Sequence, residues 1–247
     1  MTDPTRAFAI QDAAAHDMTD EQYTAAVEKC RLTIPPDFRS QFPDIGKWLL
    51  ARKNVLFLGK GPSLAEAKNE LQNHGVIATV NEACMAVDGR QVDYAFFTDR
   101  IALDNCRDYW NNIKCFVCTA MVHADSIDAE PLPLESVLNG CPRVVVTHDS
   151  QLPWDERFVQ EWIDNERLLT VDTSIMGLHF LHLIGLRNFR LLGHDGGKGY
   201  AGGMPNINPN RNMTAFRDRL EETAWMLVER YDTHLHFFDG EIIRKRH

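Results

Sequence analysis

Apolar residues fall in short dense runs along this chain, separated by stretches with a helical rhythm. The runs are VLFLG (55–59), VIATV (76–80), YAFFT (94–98), CFVCT (115–119), VVVT (144–147), FRLLG (189–193) and HLHFF (234–238). Each predicts a buried strand. Between them, Leu64 to Asn73, Leu103 to Asn111, Asp155 to Asn165, Ser174 to Ile184 and Thr214 to Tyr231 predict crossover helices. Near-continuous apolar strands separated by helices are covered on both faces. The pattern therefore predicts an α/β fold: a doubly wound, mainly parallel, Rossmann-like sheet of about seven strands with right-handed crossovers.

Residues 1–50 read differently. An amphipathic stretch from Asp20 to Arg31, then Pro35 and Pro36, then an apolar segment near Ile45 to Leu50 predict an N-terminal helical arm or cap. That leaves 51–247 as a single catalytic domain. Within it, GGKGYAGGMPNINPNRN (196–212) holds five glycines and four asparagines in seventeen residues. Such a segment is expected to be a mobile loop that closes over a ligand.

Composition narrows the partners. Of 247 residues, 44% are hydrophobic and 25% charged, a soluble globular balance. Thirty-five acids against 26 bases leave −9, the wrong sign for a chain coated in nucleic acid. From Arg187 to Arg219, however, six bases face two acids. This local island can grip a diphosphate or a polyanionic acceptor, nucleic acid included. The longest strongly apolar stretch, Ile175 to Leu186, is twelve residues and contains His179 and His182. A bilayer span needs roughly 18 to 20, so no membrane partner is expected.

The start lacks the basic end and apolar block of a secretory signal, so a cytoplasmic location with reduced cysteines is expected. Cys115 and Cys118 have C-x-x-C spacing, but positions three apart in a strand face opposite sides, and core thiols result. No H-E-x-x-H or comparable metal signature occurs.

The sharpest chemical signal is VLFLGKGPSLAE (55–66), a strand running into Gly59-Lys60-Gly61-Pro62-Ser63 and a helix. Gly59 and Gly61 permit close backbone approach, Pro62 sets φ for helix entry, and Ser63 with Glu66 has capping-box spacing. The turn predicts a phosphate site at a helix N-terminus, with Lys60 adding charge. Neither the dinucleotide G-x-G-x-x-G nor the P-loop G-x-x-x-x-G-K-[ST] fits. A second unit, Thr173-Ser174-Ile175-Met176-Gly177, opens an apolar helix that Thr173 or Ser174 can cap. It returns through FRLLGHD to Gly193, His194 and Asp195 at a strand's carboxyl end, where open α/β sheets place ligands. Asp99 closes FFTD at another such end. His194, and with less support His234 and His236 on the last strand, are candidate general bases. His179 and His182 are expected in helix packing.

These residues together carry a resemblance. GKGPSL after the first strand, Asn81 just after the second, the T-S helix and the L-x-G-x-D strand end resemble the bacterial sialyltransferase family. They are similar also to the archaeal 6-hydroxymethylpterin pyrophosphokinase family, whose Rossmann-like core shares a G-x-G-P-S-L turn. The resemblance covers roughly Asn54 to Asp195. It implies donor contacts at Gly59, Gly61, Ser63, Asn81, Thr173 and Ser174, with Asp195 matching the strand-end aspartate. Lys60 departs from the asparagine common in the sialyltransferases, and their later catalytic histidine has no clear match here.

The expected function is a glycosyltransferase with a nucleotide-sugar donor as co-substrate. A base among His194, Asp195 and Asp99 activates an acceptor hydroxyl, and Lys198 and Arg211 in the glycine-rich loop supply charge. The acceptor stays open between a glycan, a metabolite and a hydroxymethylated base in phage-type DNA. The alternative is an ATP-dependent pyrophosphokinase acting on a pterin-like alcohol, which needs Mg²⁺ on carboxylates such as Asp99 and Asp195.

Overall fold

The computed structural model describes residues 53–123, 132–133, 144–146, 156–169, 171–196, 199–204, 213–237 and 242–243. The expected arm at 1–50 lies outside them, as do Lys198 and Arg211. Among the described residues nine strands form one sheet: β1 (Asn54–Leu58), β2 (Val76–Val80), β3 (Tyr94–Asp99), β4 (Phe116–His123), β5 (Leu132–Pro133), β6 (Val144–Val146), β7 (Asn188–Leu192), β8 (His234–Phe237) and β9 (Ile242–Ile243). Seven of them run parallel in the order β6-β4-β3-β2-β1-β7-β8. The two two-residue strands, β5 and β9, pair antiparallel with β4 and β8 and were not expected from the pattern. The chain winds one way from β1 to β6, then returns to β7 on the other side of β1. The switch point therefore lies between β1 and β7, and ligands bind at such points in open α/β sheets.

Alternating strand residues feed two cores. Val55, Phe57, Ala78, Phe96, Val117, Phe189 and Leu191 point to one face, beneath α3 (Glu156–Asp164), α4 (Thr173–Leu183) and α5 (Met213–Tyr231). Leu56, Leu58, Ile77, Ala95, Phe97 and Phe116 point to the other. Cys115 and Cys118 fall in opposite cores, as period two requires. Helix α4 is buried nearly all round, and Gly177 lets it lie on the sheet: a Cβ there would come 2.9 Å from both the Phe57 and Phe96 rings. None of the described helices is long and apolar enough to cross a membrane.

The second face differs from expectation. The helix expected at Leu64 to Asn73 is broken into a 3₁₀ turn (Pro62–Glu66), the four-residue α1 (Ala67–Glu70) and another 3₁₀ turn (Leu71–Asn73). The one expected at Leu103 to Asn111 splits at Cys106 into α2 (Arg100–Asn105) and a 3₁₀ turn (Arg107–Asn112). Tighter winding rises about 2.0 Å per residue against 1.5 in an α-helix, so short crossovers reach further. The second segment is also held at its break, where the Cys106 thiol donates to the Asn81 carbonyl.

Candidate functional site

At the switch point the ladder between β1 and β7 continues past the strand ends. Gly59 N donates to the Leu192 carbonyl and Gly61 N to the Gly193 carbonyl, both at 2.7 Å. Gly193, at φ 75°, donates its own N–H to Ser63 Oγ at 2.7 Å. Ser63 N in turn donates to Asp195 Oδ2 at 2.9 Å. The two turns are thus zipped together, and the glycines are there for that contact. A Cβ on Gly59 would lie 2.4 Å from the Gly193 oxygen, and one on Gly61 2.5 Å from Asp195 Oδ2.

This corrects the phosphate-turn expectation. The helix N-terminus after Pro62 already carries an anion, the chain's own Asp195 carboxylate, so its Ser63 N–H is not offered to a ligand. The capping box is also absent. Ser63 Oγ serves Gly193, Glu66 Oε2 accepts from Asn69, and the cap position, Gly61, has no side chain. Neither Ser63 nor Asp195 lines the cleft that the fold leaves open here. They are the staple behind it.

The cleft is open to solvent, and the space in and over it, open solvent included, is about 710 Å³. Gly59, Lys60, Gly61, Asn81, Thr173, Ser174 and His194 line it, so most of the expected donor residues do converge. Asp99 ends β3, and its side chain lies outside the description. His234 and His236 start β8 at the opposite end of the sheet, which removes them as bases for this cleft. His179 and His182 are buried packing residues, as expected: His179 Nδ1 accepts from Leu169 N, and His182 contacts the Leu178 carbonyl and Thr233 Oγ1.

Two residues of the lining each carry a buried polar atom with no hydrogen-bond partner, Asn81 Oδ1 and His194 Nε2. A buried orphan of this kind costs about 1–3 kcal/mol unless something occupies it. Asn81 also sits at φ 50°, in the left-handed region that asparagine enters more readily than most side chains. Its carbonyl accepts from the Cys106 thiol at 3.6 Å. Cys106 is held well above its ordinary pKa, first by its hydrogen bond with Cys84 and then by burial, so it stays a thiol donor.

His194 stacks on Phe57, ring centres 4.8 Å apart, and its carbonyl accepts from Arg217 Nη1 at 2.9 Å. Burial, with Arg217 adding to it, pulls its pKa down to about 3. A base this weak is poorly matched to neutral pH. The imidazole is neutral there, which argues against the general base expected of it.

Lys60 is committed as well. Its Nζ donates to Glu82 Oε2 at 2.6 Å, and the side chains are 10% and 0% exposed. Asn105 Nδ2 donates to the other Glu82 oxygen at 3.0 Å. The Tyr200 ring lies 4.6 Å from Lys60 Nζ, and Ala201 N donates to the Lys60 carbonyl at 2.8 Å. The described part of the glycine-rich loop is therefore docked on the turn after β1.

Helix α4 begins in the cleft wall. Its cap is Asp172, whose Oδ1 accepts from Ile175 N at 2.8 Å, rather than Thr173 or Ser174. Thr173 Oγ1 instead shares a 2.6 Å hydrogen bond with Thr98. Sequence reasoning missed Asp172, Glu82, Tyr200 and Arg217. Asp172 was findable, because D-T-S before an apolar helix is a cap signature. The other three become neighbours only through the fold.

Comparison with protein-family models, curated proteins and solved structures finds no match.

Proposed function

We propose that the protein is a glycosyltransferase that takes a sugar from a nucleotide-linked donor held in the switch-point cleft. The observation that carries the proposal is Asn81, a residue of the lining held in a left-handed conformation with its buried Oδ1 unpartnered. Strained, unsatisfied polar groups cluster where a ligand completes them. The nucleotide class rests on the position of the cleft in the sheet, and sugar transfer rests on the resemblance of the GKGPS, Asn81 and T-S residues.

In this reading the donor takes its hydrogen bonds from Asn81, His194 and the first turn of α4 at Thr173 and Ser174. Catalysis is positioning plus stabilisation of the leaving phosphate. Activation of the acceptor hydroxyl falls to Asp99 at the end of β3, since His194 is too weak a base and Asp195 is committed to Ser63. The same commitment leaves Asp99 as the carboxylate for Mg²⁺ in the pyrophosphokinase alternative, which needs at least one in the cleft.

Thermal unfolding with CMP, UDP, GDP and ATP, each with and without Mg²⁺, tests the proposal. Cytidine or uridine nucleotides at about 100 times Kd should stabilise by roughly 2.7 kcal/mol. Stabilisation by ATP alone and only with Mg²⁺ would transfer the assignment to the pyrophosphokinase. No response to any nucleotide would defeat both.

A further inference from the structure

Lys60 and Arg217 bring positive charge to the wall of the switch-point cleft, but both are paired and nearly enclosed. The Lys60 side chain is 10% exposed on its bond to Glu82, and the buried Arg217 bonds Glu221 and the His194 carbonyl. Two backbone N–H groups at helical starts on this end of the sheet are likewise taken by the chain's own carboxylates, Ser63 N by Asp195 and Ile175 N by Asp172. Among the described residues the cleft therefore presents little positive charge to a phosphate.

What it does present is aromatic. Tyr200 from the glycine-rich loop and Phe216 from the first turn of α5 are half-buried lining residues, and Val80 and Leu220 add to the apolar lining. Asn81 and Ser174, also half-buried, contribute neutral polar groups. Tyr200 is held in position. Lys60 Nζ lies 4.6 Å from its ring centre, and Ala201 N donates to the Lys60 carbonyl at 2.8 Å, so residue 60 fixes the tyrosine through both side chain and backbone. Glu82 in turn fixes the lysine. A ring anchored in this way forfeits little freedom when a flat ligand stacks on it. A flat, uncharged ring with hydrogen-bonding edges fits this combination, because aromatic faces take the ring while amide and hydroxyl groups suit its edge.

We propose, on the nucleotide-donor reading of this cleft, that the donor's nucleobase stacks on Tyr200 with Phe216 as a second apolar wall, and that the nucleoside rather than the phosphate carries donor affinity.

Isothermal titration of the full chain compares cytidine, uridine, guanosine and adenosine with CMP, UDP, GDP and ATP, and with inorganic pyrophosphate. The matching nucleoside should bind within about tenfold of the preferred nucleotide, and pyrophosphate should not displace it. Tyr200→Leu should weaken nucleoside and nucleotide alike by about tenfold, and Tyr200→Phe should restore both. Stacking also lowers the ultraviolet absorbance of a base. In difference spectra at saturating nucleoside that drop should appear with the native chain and Tyr200→Phe and vanish in Tyr200→Leu.

Pyrophosphate that displaces the nucleotide, or nucleosides more than about tenfold weaker than it, would overturn the proposal and leave nucleotide binding standing. Nucleoside affinity undiminished in folded Tyr200→Leu would overturn it too and hand the aromatic wall to the transferred sugar. No response to any nucleotide or nucleoside would defeat the donor reading together with it.

Discussion

Asn81 occupies a backbone region that costs an ordinary side chain roughly 1–2 kcal/mol and glycine almost nothing. Asn81→Gly should therefore leave stability unchanged or raise it by up to about 1 kcal/mol, while removing Oδ1 from the cleft. Under the proposed function it abolishes most of the nucleotide-induced thermal shift. Undiminished nucleotide stabilisation in that variant would show that Asn81 does not face the ligand. Lys60 is the contrasting case. Its partner Glu82 is fully buried, so Lys60→Met strands a carboxylate and should cost about 3–5 kcal/mol in urea unfolding. Adding Glu82→Gln should recover most of the loss. From sequence, Lys60 reads as a phosphate contact that folding can spare. The pairing with Glu82, 22 residues away, reverses that expectation.

At the scale of elements, the turns after β1 and β7 act as one unit. Gly59→Ala would drive a Cβ to 2.4 Å from a backbone oxygen that has no room to yield, because Gly193 is itself held by Gly61 and Ser63. We expect a loss above about 3 kcal/mol, or failure to fold, without any ligand present. Soluble expression and thermal unfolding of Gly59→Ala check this, and near-normal stability would show the turns to be loosely joined. The milder element-level test is Asp172→Ala, which removes the cap of α4. It should cost about 0.5–2 kcal/mol by denaturant unfolding, and Thr173→Val should leave that cap intact.

For the whole molecule, pH response follows from two histidines held neutral inside it. Burial lowers both His182 and His194 to about 3, against about 6.5 when unfolded. Between those values the unfolded chain binds more protons, so stability is complete above about pH 6.5 and falls as pH drops toward 3. At about pH 5 each contributes a loss of at most about 2 kcal/mol. Urea midpoints at the two pH values measure it, and His194→Gln should shrink the difference. The strands that generate these interiors were legible because burial on both faces leaves an unmistakable apolar run, as in VLFLG and VIATV. Opposite faces for Cys115 and Cys118 followed from period two alone. Asn81, Thr173 and Ser174 do line the cleft: Thr173 and Ser174 were legible as a local helix start, and Asn81 came from the resemblance. The broken helices after β1 and β3 were not legible, because crossover length and the anchors at Ser63 and Cys106 depend on β7 and Asn81. Nor was the staple: Asp195 reaches Ser63 across 132 residues, and Glu82 meets Lys60 only when β1 and β2 align. Local chemistry named the helix terminus as an anion site, and the tertiary structure decided that the anion is the protein's own.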